Sequence, residues 1–169
     1  MQASVVSVSL HPLFRRRISK RWLTQVVSTA LAQDPRGEAV AVDLLIADDE
    51  TLRRLNCTYR GLDEVTDVLS FSFIHAGPYE GEGEPPPQDP SPWPLPPGVR
   101  LIGEVIVSYP QAVRQARQGG RPVKDEIAHL VVHGVLHLIG YDHQEPAQEA
   151  HMRRLEHQAL ALLGFHGKG

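Results

Sequence analysis

The chain has 169 residues, 41% of them hydrophobic, a net charge of −3 and one cysteine. That is enough apolar material for one ordinary globular domain with a real core. The lone Cys57 excludes an internal disulfide and suits a reducing compartment, while the slight acidic balance argues against a general nucleic-acid-binding surface.

Ser4–Leu10 alternates apolar and polar residues as a half-buried strand does. The cluster Arg15-Arg16-Arg17 follows this apolar stretch instead of preceding it, unlike a secretory leader. No apolar run is long enough to span a membrane, so a soluble cytoplasmic protein is expected. Ser19 is placed to N-cap a helix to about Ala32, with Trp22, Leu23, Val26, Val27 and Ala30 on one face. Val40–Ala47 predicts a strand, after which Asp48 caps a short helix through Leu55. Asp67–Ile74 is β-rich.

Residues 75–99 form a proline-rich, acidic insertion. Between His75 and Gly98 lie nine of the chain's 14 prolines, with Glu80, Glu82, Glu84 and Asp89. Such a stretch cannot serve as a central strand and reads as exposed. The rest of the chain then carries 17 basic and 16 acidic residues. Basic clusters at Arg15, Arg16, Arg17, Lys20 and Arg21, and at Arg53, Arg54 and Arg60, allow a local basic surface or simply solvated helix faces. Leu101–Ser108 returns as a strand, Pro110–Gln118 and Val123–Ile139 read as helices, and Pro146–Leu163 as an amphipathic helix stopped by Gly164. The expected fold is α+β: a single domain over residues 1–169, a mixed sheet of about four strands covered by helices, and a zincin-like metal site on a central helix.

The chemistry concentrates in His133-Gly134-Val135-Leu136-His137-Leu138-Ile139-Gly140-Tyr141-Asp142-His143. Residues four apart share one helix face, so His133 and His137 can address one ion. Gly140 can adopt the left-handed conformation that ends the helix and turns His143 back toward them. Three imidazoles leave one position of a tetrahedral zinc ion open to water, which zinc makes nucleophilic near neutral pH. The competing reading is core histidines bonded to backbone. The flanking Leu130, Val131, Val132, Val135, Leu136, Leu138 and Ile139 favour metal, because buried imidazoles need partners. His129 lies one turn further back, about 12 Å from His137 along the axis at about 1.5 Å per residue, too far to share the ion. It is a neighbour, either touching a ligand or simply packed in the core.

This spacing is that of the metzincin peptidases, whose pattern places a general-base Glu directly after the first histidine. Here that position is Gly134, so a peptidase of this mechanism lacks its proton acceptor.

The chain resembles the YbeY family of bacterial metal-dependent endoribonucleases, or rRNA maturation factors. The resemblance rests on Leu55-Asn56-Cys57-Thr58-Tyr59-Arg60-Gly61 with Thr66-Asp67-Val68-Leu69-Ser70-Phe71, on Leu101-Ile102-Gly103-Glu104-Val105-Ile106, and on His129 through His143 with Met152, Glu156 and Leu163-Gly164. It implies one zinc ion per chain held by His133, His137 and His143. It also implies cleavage of single-stranded RNA, 16S ribosomal RNA 3′-end maturation, 70S ribosome quality control, and ribosomal particles as partners. Arg60 matches the family's functional arginine, and a guanidinium can grip a phosphate bidentately; a structural ion pair with Asp63 or Asp67 is the bland alternative. Two departures are Glu104, where the family has Asp after the glycine, and the long insertion. Asp142 is a candidate base, though an aspartate in a turn more often caps backbone. Two other classes stay open: a zinc hydrolase of another substrate, and a non-catalytic ribosome assembly factor.

Overall fold

The computed structural model describes residues 4–73, 95–141 and 145–165. In chain order these form β1 (Val5–Leu10), a 3-10 turn (Pro12–Phe14), α1 (Lys20–Leu31), β2 (Val40–Ala47), α2 (Asp49–Arg60), β3 (Val68–Ser72), β4 (Arg100–Ser108), α3 (Tyr109–Gln118), α4 (Val123–Leu138) and α5 (Pro146–Leu162). Residues 95–99 of the acidic insertion lead into β4 and bury Val99; residues 75–94 lie outside the described part.

Local chemistry sets the helix ends. Ser19 Oγ accepts the Trp22 N–H at 3.2 Å to start α1, and Asp48 Oδ1 accepts the Thr51 N–H at 3.0 Å to start α2. The expected end of α2 at Leu55 is wrong: the helix runs to Arg60. Its extra turn is held by tertiary contacts that propensity does not report. Asn56 is buried and donates to the Glu64 carbonyl at 2.9 Å, Tyr59 meets Phe71 edge-on at 5.3 Å, and Gly61 (φ 71°) closes the end in the left-handed conformation.

The strands lie in the order β1-β2-β4-β3, with β1, β2 and β4 parallel and β3 antiparallel on β4. This is the mixed four-stranded sheet the sequence implies. The strands' alternation divides the core into two layers. Val42, Leu44, Ile46, Ile102, Val105 and Val107 face α1 and α4, with α5 packed behind α4. Ala47, Leu69, Phe71 and Ile106 face Leu52, Leu55 and Tyr59 of α2 on the other side. α4 therefore lies between sheet and helices, which explains its nearly continuous apolar surface. Among the described residues no helix is long and apolar enough to cross a membrane.

Candidate metal centre

α4 brings His133 and His137 together on one face. Their Nε2 atoms are 3.1 Å apart, and the His137 side chain is buried. Two nitrogens each about 2.0–2.1 Å from one tetrahedral ion stand about 3.3 Å apart, so the pair fits a zinc ion. The helix then ends as expected. Gly140 has φ 103°, its N–H donates to the His137 carbonyl at 3.1 Å, and the Tyr141 N–H donates to the Leu136 carbonyl at 3.1 Å. His143 and Asp142 lie outside the described residues, and among those described no three His, Cys, Asp or Glu side chains form a ready metal cluster.

A residue that sequence reasoning assigned no role completes the arrangement. Glu156 of α5 places Oε1 2.7 Å from His133 Nδ1 and Oε2 3.6 Å from His129 Nε2. Burial alone would raise its pKa, but its contacts with the His129 and His133 rings outweigh that and bring it to about 2. The carboxylate is thus ionised at neutral pH. The signal was present in the chain: Glu156 occupies the core stripe formed by Met152, Leu155, Ala159 and Leu160, where an acid requires a partner. His129 therefore belongs to the surroundings of the site, and a cleft of about 340 Å³ lined by His129, His133, Glu149, Met152, Arg153 and Glu156 opens here. Arg36 was missed as well. Its guanidinium donates to the Ile139 carbonyl at 2.8 Å, tying the turn after α4 to the loop before β2.

Gly134 points away from the histidine face, into the sheet. A Cβ there would meet Val105 Cγ1 at 2.7 Å and Val68 Cγ2 at 3.5 Å. The position that carries a catalytic Glu in the metzincins is here the contact between α4 and β4.

Arg60 belongs to α2, whose apolar residues pack on the face of the sheet opposite α4. The two sites do share one end of the β3–β4 ladder: Tyr59 packs on Phe71, while Ser72 Oγ lies 3.4 Å from the Leu138 carbonyl. Of the acids proposed as structural partners, Asp63 is held by Arg53 at 2.7 Å, and Asp67 accepts from Val68 N–H at 2.7 Å and Gln115 at 3.3 Å. Arg53 is thereby neutralised, whereas Arg15, Arg16, Arg17, Lys20 and Arg21 are exposed.

The family model described as Endoribonuclease YbeY matches residues 13–164. A Dehalococcoides mccartyi protein named Endoribonuclease YbeY is 42% identical over 161 residues, covering 93% of this chain and 94% of its own. Proteins of the same name from Moorella thermoacetica, 41% identical over 85% of each chain, and Roseiflexus castenholzii, 36% identical over 98% and 96%, are similar too. The fold resembles the solution structure of a Thermotoga maritima protein, with a TM-score of 0.54 at 18% identity over 94% of this chain and 91% of that one.

Proposed function

The chain belongs to the endoribonuclease YbeY family, and from that premise we propose a zinc-dependent, single-strand-specific endoribonuclease acting in 16S ribosomal RNA 3′-end maturation and 70S ribosome quality control. The observation that carries the metal reading is the Nε2 pair of His133 and His137 at 3.1 Å, on a buried helix that Gly140 ends with a positive φ. His143 is the third ligand in this reading. A zinc ion there supplies Lewis acidity and lowers the pKa of water.

The remaining work falls to the chain's own residues. Glu156 holds His133 in place, and the low exposure of His137 keeps bulk water from one side of the site. Arg60 grips a phosphate and offsets charge developing during cleavage. Because α2 and α4, which carry Arg60 and the histidines, pack on opposite faces of the sheet, an RNA strand touching both helices runs past the end of β3. A single strand bends around such an edge more readily than a stiff duplex. Ribosomal RNA within ribosomal particles is the proposed partner and the cytoplasm the proposed setting.

The peptidase alternative loses its base twice over: Gly134 has no carboxylate, and its position faces Val105. Elemental analysis of purified protein, alongside cleavage of labelled single-stranded RNA and of casein with and without chelator, tests the proposal. It expects zinc, chelator-sensitive RNA cleavage and no proteolysis. Full RNA cleavage by a metal-free His137→Ala preparation would overturn it.

A further inference from the structure

We propose that Glu156 is a positioning residue that fixes His133 in the tautomer able to bind a cation, with His129 steadying the second carboxylate oxygen. The inference rests on the zinc reading above. Glu156 comes from α5, its side chain only 11% exposed, in a stripe otherwise made of Met152, Leu155, Ala159 and Leu160. An acid there disfavours folding unless its oxygens are engaged, and both are: Oε1 at 2.7 Å from His133 Nδ1, Oε2 at 3.6 Å from His129 Nε2.

The Oε1–Nδ1 contact at 2.7 Å is a hydrogen bond, with the imidazole N–H as donor and the carboxyl oxygen as acceptor, so the ring nitrogen facing Glu156 carries the proton. Neutral imidazole has one N–H. With the proton on Nδ1, the lone pair lies on Nε2, the atom that faces His137 Nε2 at 3.1 Å. Carboxylate contact on one ring nitrogen thus prepares the other for a metal, and also prevents the ring from flipping. His129, one turn before His133, meets the outer oxygen at a longer distance and braces the carboxylate against rotation.

A bare staple between α4 and α5 would give the same contacts without controlling the tautomer, so the test must read the tautomer itself. In metal-free, full-length protein, long-range 1H–15N spectra of the histidine rings should show His133 protonated at Nδ1. Glu156→Ala should shift it to Nε2–H and weaken Zn2+ binding, measured by chelator competition, by about 10–100-fold. Glu156→Gln retains an acceptor oxygen and should restore the Nδ1–H form and most of the affinity. His129→Ala should show a smaller loss than Glu156→Ala. Glu156→Met fills the site without an acceptor and serves where Glu156→Ala does not fold. Wild-type affinity, or an unchanged Nδ1–H pattern, in the acceptor-free variants overturns the positioning role alone. A wild-type protein that takes up no Zn2+ overturns the zinc reading and this inference with it.

Discussion

Gly134 of α4 approaches Val105 of β4 so closely that one added methyl carbon would stand 2.7 Å from Cγ1. Carbon atoms pack at about 3.5–4.0 Å, so α4 or Val105 would have to move. Gly134→Ala gains about 1 kcal/mol of helix propensity but overpacks a filled layer, at about 1–3 kcal/mol. A net destabilisation of up to about 2 kcal/mol by urea unfolding is expected, and more for Gly134→Glu, with no gain of casein cleavage. A Gly134→Ala variant more stable than wild type would refute the packing account. Gly103→Ala should be worse, since its Cβ would overlap the Phe71 carbonyl oxygen and lie 2.6 Å from Leu138.

His129→Ala should keep one zinc per chain while His137→Ala loses it, because the two residues are two helical turns apart. Elemental analysis decides this. Loss of zinc in both variants would place His129 within the ligand set.

Arg60→Ala should lower kcat/KM for RNA by about 10²-fold with little change in thermal stability, since the left-handed Gly61 supplies the C-cap of α2 and the Arg60 side chain does not. Arg60→Lys should recover little, because an ammonium cannot grip a phosphate through two parallel hydrogen bonds. Equal rates for wild type and Arg60→Ala would assign the arginine a structural role.

Asp48→Asn tests the start of the same helix. The Thr51 hydroxyl at 2.6 Å, then its N–H at 3.0 Å, lower the Asp48 pKa, with His11 at 3.7 Å adding to the effect. A carboxyl whose folded pKa is depressed contributes stability above its unfolded value, about 3.9, and loses it as pH falls through the folded one. Asn remains an adequate cap, so the variant should be less stable by about 1 kcal/mol or less at pH 7. Denaturation followed from pH 7 to 2 should show the difference shrinking below about pH 4. A constant gap across that range would show that ionisation of Asp48 is irrelevant.

Much of this molecule was legible as pattern. The apolar faces placed α1 and α5, the nearly continuous apolar run placed α4, alternation placed β1, and Gly140 marked the end of α4. Contacts between distant segments were not legible. The last turn of α2 depends on Glu64 and Phe71, Arg36 reaches Ile139 across 103 positions, and Glu156 finds its rings only once α5 lies on α4. The placement of α2 and α4 on opposite faces of the sheet is likewise a tertiary matter that no local pattern reports, although both end near β3.

α4 is also electrically lopsided. Asp125 and Glu126 occupy its first turn, where aligned peptide dipoles present partial positive charge, and Glu126 is itself bound by Arg121 and Gln115. His137 occupies the last turn, at the partially negative pole. A cation settling between His133 and His137 therefore meets an attractive field from the backbone before any side chain is counted. That field is worth about 0.3–1 kcal/mol at an exposed helix end and more where water is excluded.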